Sequence, residues 1–146
     1  MDLKNMTRNE KMDLVDNLDT PLDILRALAK DEDGVVRRNV AQNPSTPLDI
    51  LRELAKDKNE EVRWRVVQNP SIPIDVLRGL AKDEDWVIRY YVAENPKASS
   101  NLLVMQFEYE KSLREPSEDV IRALYKHKNL PYVAKVIIDT LFGDIL

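Results

Sequence analysis

The segment Thr20-Pro21-Leu22-Asp23-Ile24-Leu25-Arg26 returns as Thr46-Pro47-Leu48-Asp49-Ile50-Leu51-Arg52 and again as Ile72-Pro73-Ile74-Asp75-Val76-Leu77-Arg78. Pro21, Pro47 and Pro73 are 26 residues apart. Each copy continues through Leu-Ala-Lys-Asp ending at Asp31, Asp57 and Asp83. An apolar-Arg pair follows (Val36-Arg37, Val62-Arg63, Ile88-Arg89), then Asn-Pro (Asn43-Pro44, Asn69-Pro70, Asn95-Pro96). A unit this short cannot bury an apolar face alone, so the period predicts stacked copies that share one core.

Two helices are legible in each copy. Thr20 and Thr46 read as N-caps, Pro21 and Pro47 as first helical residues whose missing N–H costs nothing, and Asp23 and Asp49 as charges favoured by the helix dipole. Leu22, Leu25, Leu28 and Ala29 follow the three-and-four spacing of one buried face. The second helix opens near Asp31, Asp57 or Asp83 and carries core pairs four apart, at Val36/Val40, Val62/Val66 and Ile88/Val92. Asn-Pro ends it, because the residue before proline is biased out of the α region. Helices this short are marginal alone and depend on their neighbours.

The pattern changes at both ends. Asp119-Val120-Ile121-Arg122-Ala123-Leu124 resembles Asp23 to Leu28, which reads as a fourth copy arriving late behind an inserted helix from Ser99 to Leu113. The apolar residues of that helix, Leu102, Leu103, Met105, Phe107 and Tyr109, are too broadly spread for one stripe. A last helix from Tyr132 to Phe142 is expected to stop at Gly143. The expected organisation is a single α-solenoid domain over residues 1–146. Within it, 1–19 form an N-terminal half-repeat cap, 20–45, 46–71 and 72–98 are repeats, 99–116 hold the inserted helix, and 117–146 form a degenerate repeat with a C-terminal cap.

The copies from Asn43-Pro44-Ser45-Thr46-Pro47 through Leu54-Ala55-Lys56-Asp57, Val62-Arg63 and Val66, and their counterparts to Val92, resemble the leucine-rich repeat variant family. They are also similar to HEAT-like repeats, which share an Asp followed six residues later by Arg. The resemblance covers about residues 20–96. It implies an all-α, right-handed superhelix of paired helices, in which one helix of a pair can be short or 3₁₀, and binding of other macromolecules as the usual role. One branch of the variant family couples its repeats to a cysteine-ligated iron–sulfur module, which is not carried over to a chain without cysteine.

Composition narrows the chemistry. Zero cysteines exclude disulfides and thiolate metal sites, and His127 is the only imidazole available to a metal site or a catalytic triad. Three glycines, Gly34, Gly79 and Gly143, provide no phosphate-cradling loop. The N-terminus lacks a signal-peptide core and no stretch approaches a membrane span, so a soluble, cytoplasmic protein without a cofactor or metal is expected. Twenty-two basic and 26 acidic residues, interleaved to a net charge of −4, give no general attraction to nucleic acid or anionic lipid.

The Asp31/Arg37, Asp57/Arg63 and Asp83/Arg89 columns are read as ladders between adjacent repeats, as in the resembling families. Asp23, Asp49 and Asp75 are placed to pair locally with Arg26, Arg52 and Arg78, three residues on. Asn43, Asn69 and Asn95 are expected to bond turn backbone, and His127 to be a solvated helix end.

At about 100° per residue, positions two before and two after Val62 point away from the core. They hold Gly34, Glu60 and Trp86, then Arg38, Trp64 and Tyr90. The candidate partner-binding residues are therefore Trp64, Trp86, Tyr90, Tyr91, Arg38 and Arg65, an aromatic and arginine composition typical of binding hot spots. The rings either face water or are covered by the inserted helix or a second chain. The resulting expectation is a non-enzymatic protein-binding scaffold whose partner is another protein or peptide, with self-association open. The alternatives are a nucleic-acid-binding HEAT-like module and an accessory subunit of an enzyme.

Overall fold

The computed structural model describes residues 2–17 and 19–146. Met1 and Leu18, both inside the expected N-terminal cap, lie outside the described residues. Among the described residues there are ten α-helices and no strand. They are α1 (Arg8–Asp16), α2 (Leu22–Leu28), α3 (Gly34–Gln42), α4 (Leu48–Leu54), α5 (Glu60–Gln68), α6 (Ile74–Leu80), α7 (Trp86–Glu94), α8 (Ser100–Ser112), α9 (Glu118–Lys126) and α10 (Tyr132–Phe142). Short 3₁₀ turns occupy Leu3–Asn5 and Gly143–Ile145. The chain divides into two compact units, up to Val76 and from Leu77 onward.

In the first unit α1 packs along α3 and α3 along α5, while α2 and α4 lie against these longer helices. Val15, Val36, Val40, Val62 and Val66 are completely buried, so the pairs spaced four apart form the core as their sequence period requires. Leu25, Leu28, Ile50, Leu51 and Leu54 close it from α2 and α4. Leu22 and Leu48 do not join them; about half of each side chain remains exposed, because the first helical residue sits on the outer side of the chain's entry.

The entry differs from expectation. Pro21 and Pro47 are extended residues at the N-cap, and no side chain caps α2 or α4. The hydroxyls of Thr20 and Thr46 instead donate backward, at 2.6 Å, to the carbonyls of Leu14 and Val40. Each buried threonine thus bonds a carbonyl in the last turn of the preceding helix. The second helices begin three residues after Asp31, Asp57 and Asp83. Their N-caps are Asp33, Asn59 and Asp85, whose side chains accept from the amides of Val35, Glu61 and Val87.

In the second unit α9 packs along α7, and α8 and α10 lie against α9. Here the late fourth copy is corrected. The first helices α2, α4 and α6 begin at Leu22, Leu48 and Ile74, and α8 begins at Ser100, on the 26-residue period. At 13 residues α8 is six longer than α4, and α9 starts 32 residues after α7, the period plus six. Val120 and Leu124, both fully buried, occupy the places of Ile88 and Val92. The segment from Asp119 is therefore a second helix, and the insertion is a lengthening of the first helix of the fourth pair. Helix α10 follows Pro131 as α4 follows Pro47, and Gly143 continues it into a 3₁₀ turn with right-handed backbone angles.

Arginine staples hold successive pairs together. Arg37 sends Nε and Nη2 to the Asp57 carboxylate at 2.6 and 3.0 Å, while Nη1 binds the carbonyls of Asp31 and Glu32 in its own turn. Lys11, one period before Arg37, reaches Asp31 at 2.7 Å. In the second unit Arg89 binds the carbonyls of Asp83 and Glu84, and sends Nε and Nη2 to Glu110 on α8. Glu110 is fully buried and also accepts the amide of Ser117 at 2.6 Å. Extending the helix moves the carboxylate out of the turn and into α8, one residue further along.

Burial pushes the Asp57 carboxyl up, but hydrogen bonds from Arg37 and the Asn59 amide, with the Arg37 charge, outweigh it and hold it below the usual range. A depressed carboxyl stabilises the fold above its unfolded pKa of about 3.9 and loses that contribution as pH falls through the folded value. Urea unfolding between neutral and acid pH is expected to show this loss, with a flatter acid response in Asp57→Asn. Glu110→Ala strands a buried guanidinium and is expected to destabilise the fold by about 3–5 kcal/mol in the same assay.

Candidate binding face

The second helices place the candidate residues. In α3 and α5 the core pairs fix one direction, and Arg38 and Trp64 project two residues beyond Val36 and Val62. Both are half-buried, as is Arg65. Arg38 Nη1 binds the Glu61 carboxylate at 2.9 Å, joining α3 to α5 on this side. The Arg65 guanidinium lies 4.4 Å from the Trp64 ring centroid, a cation–π contact that keeps the indole face against a charge. Its Nη1 approaches Gln68 at 3.5 Å. Gly34 stands where Glu60 and Trp86 stand in other copies, and a Cβ there would lie 3.0 Å from Asn59 Nδ2.

In the second unit Trp86 opens α7 and is 46% exposed. Tyr90, one turn on, is half-buried and meets Tyr91 edge-to-face with centroids 5.4 Å apart. The charge of Glu94 raises the Tyr90 phenol, with burial and the charges of Tyr91 and Asp119 adding to it. Glu94 and Asp119 thus give this face an acidic border that the helical period of α7 alone conceals, since Asp119 arrives from α9. Arg38, Trp64 and Arg65 belong to the first unit and Trp86, Tyr90 and Tyr91 to the second.

The charged columns are structural. Lys11, Arg37 and Arg89 end on carboxylates of the following pair. The outer column changes partner relative to expectation: Arg26 binds Asp49 and Arg52 binds Asp75, both at 2.8 Å, across the first helices of adjacent copies. Asp23 and Asp49 sit at the N-terminal ends of their own helices, while the next helix offers its Asp alongside, so the longer-range pair forms.

The asparagine column is likewise structural. Asn69 Nδ2 donates to the carbonyls of Ala41 and Asn43 at 2.8 and 2.9 Å, and its Oδ1 accepts the Ser71 amide. Asn43 repeats this with the Val15 carbonyl and the Ser45 amide. His127 is the same device in another side chain, and not a solvated helix end. It ends α9 as Asn43 ends α3, its Nδ1 accepts the Asn129 amide at 3.0 Å, and Nε2 lies 3.2 Å from the Asn95 carbonyl. Because a backbone amide can only donate, Nδ1 is unprotonated and Nε2 carries the hydrogen.

Two helices, the Asn-Pro turn with its proline entry between them, and the turn that carries the staple thus recur as one module. Residues 34–59 match the leucine rich repeat variant family model. The matched segment is 26 residues long, one full period, running from the first residue of α3 to the N-cap of α5. No curated protein matches the chain. The matched segment holds Arg37 and Asp57, both ends of one staple, together with Arg38, while Trp64, Trp86 and Tyr90 lie outside it. Among the described residues no helix is long and apolar enough to cross a membrane.

Asparagine at position 127 supplies the same donor and acceptor, so His127→Asn is expected to keep wild-type stability. His127→Leu removes both and is expected to cost about 1–3 kcal/mol, measured by thermal and urea unfolding.

Proposed function

We propose that this chain is a non-catalytic protein-binding scaffold, its helix pairs wound as a right-handed α-solenoid over residues 1–146. Partner binding falls to the aromatic and arginine positions of the second helices, Arg38, Trp64 and Arg65 in the first unit and Trp86, Tyr90 and Tyr91 in the second. The exposure of Trp86 carries this reading. An indole of this size left half in water on a short helix contributes little to the core, and burying it against a partner is a strong source of affinity. Trp64, Tyr90, Tyr91, Arg38 and Arg65 extend the same composition along the second helices. The partner is another protein or peptide, and a cytoplasmic location fits a chain that uses no cysteine.

The non-catalytic reading is supported by what several charged groups already do. Arg37, Arg89, Asp57 and Glu110 are committed to staples, and the exposed carboxylates of Asp49 and Asp75 to arginines. Arg37 and Asp57 line a surface depression with Asp31 and Lys58, but there they are spent on each other.

With Trp64→Phe, the remaining indole is expected to emit at long wavelength and to be readily quenched by acrylamide. Selection of a random peptide library on the folded chain is expected to yield ligands that Trp86→Ala binds about tenfold or more weakly, with unchanged circular dichroism. Ligands indifferent to both Trp86→Ala and Tyr90→Ala would overturn this face. Salt-sensitive binding of random DNA or RNA that depends on the same residues would favour base stacking instead.

A further inference from the structure

Two guanidiniums on the second helices of the first unit have counterparts in the second unit that are not cations. Arg38 of α3 binds Glu61 of α5 at 2.9 Å, and Arg65 lies over the Trp64 ring with Nη1 toward Gln68. Moved along by whole periods, with the six added residues counted for α9, these places fall in α7 and α9. Tyr90 stands in the place of Arg38, and Tyr91 in that of Arg65. The acceptors are kept. Asp119 stands in the place of Glu61, and Glu94, a full carboxylate, in that of Gln68.

The cations of α9 do not make good the loss. Asp119 meets Arg122 on its own helix at 3.3 Å, but that guanidinium makes closer bonds, to the Ile145 carbonyl at 2.6 Å and to Glu118 at 3.1 Å. Glu94 and Lys126 are both exposed at the ends of their helices, and among the described residues neither forms an ion pair. Tyr90 registers the surplus of negative charge: Glu94 foremost, then burial, Tyr91 and Asp119, raise its phenol. The face of a tyrosine ring attracts a cation as the Trp64 indole attracts Arg65. Trp86 lies one turn before Tyr90 on the same stripe of α7, about 6 Å along the axis, and is exposed.

Given that the second helices bind a partner, we propose that this stripe receives a peptide segment carrying a lysine or arginine close to an apolar side chain. The cation rests against Tyr90 and the carboxylates of Glu94 and Asp119, and the apolar group against Trp86. In an extended segment, side chains two residues apart share one face and are separated by about 6.6 Å, which matches the step from Trp86 to Tyr90. A phosphate backbone would meet the same carboxylates with like charge, so the site favours a basic peptide over a nucleic acid.

The probes are ligands selected from a random peptide library on the full chain. Those that need Trp86 are expected to be enriched in lysine or arginine two residues from an apolar side chain. They are expected to bind Glu94→Gln/Asp119→Asn about tenfold or more weakly. Replacing the ligand's cation by norleucine or citrulline is expected to weaken binding to the wild-type chain by a similar factor and to change little against the double variant, the coupling shown by groups in contact. Both substitutions are at exposed positions, and circular dichroism verifies the fold. Trp86-dependent ligands without such a cation overturn the proposal and leave the binding face standing. So does a cation whose loss costs the same against both proteins. If no ligand depends on Trp86 or Tyr90, the face itself falls and the proposal with it.

Discussion

A guanidinium that binds in two directions sets the geometry of each unit. Arg37 holds the carbonyls of its own turn with one nitrogen and the carboxylate of the next turn with two others. The planar fork allows this, and an ammonium such as Lys11 makes only the carboxylate contact. Because these charges are nearly buried, every bond must be present for the burial to be tolerated, and the spacing of adjacent helices is fixed within narrow limits. The carboxylate is oriented in turn: Asp57 accepts the Asn59 amide as well as Arg37, and Asn59 caps α5. Stacking and helix initiation are therefore one hydrogen-bonded system.

That system separates the surfaces that serve the fold from those that do not. The inner sides of the second helices are apolar, their turns carry the staples, and the exposed sides of α2 and α4 carry the Arg–Asp ladder. Two sets of residues fall outside all three roles. One is the aromatic set on α5 and α7, of which Trp86 is the most exposed. The other is the pair Glu94 and Asp119, whose counterparts Gln68 and Glu61 each meet an arginine. Each is recognised by what the repeat would otherwise have placed there.

Much of this was legible in the sequence because repetition exposes which positions the fold needs. Proline entries, Asn-Pro exits and the valine pairs four apart marked the helices, and the Asp–Arg columns marked the staples. Polar side chains misled where two local bonds were available. Thr46 has the right place for an N-cap, but its hydroxyl donates to the carbonyl of Val40 in the preceding helix. Arg26 has Asp23 within reach on its own helix and takes Asp49 instead. The lengthened α8 hid the fourth pair because six added residues moved Val120 and Leu124 off the period, and a chance likeness of Asp119–Leu124 to a first helix filled the gap. His127 resembles asparagine only in the spacing of its donor and acceptor, a likeness that residue type does not display. The acidic border of Tyr90 needed the packing of α9 before Asp119 could be placed beside it.

The bonds between copies also share a property of scale. Lys11–Asp31 and Arg37–Asp57 close 20 residues of chain, Arg89–Glu110 closes 21, Arg26–Asp49 closes 23, and the asparagine bond from Asn69 to Ala41 closes 28. Loop-closure entropy depends on this separation, which stays constant however many copies are joined. Each new pair can therefore fold onto a formed neighbour with the same small search, the low-contact-order regime in which chains fold quickly. Nucleation at any one pair suffices, and order then spreads within a unit by steps of similar difficulty.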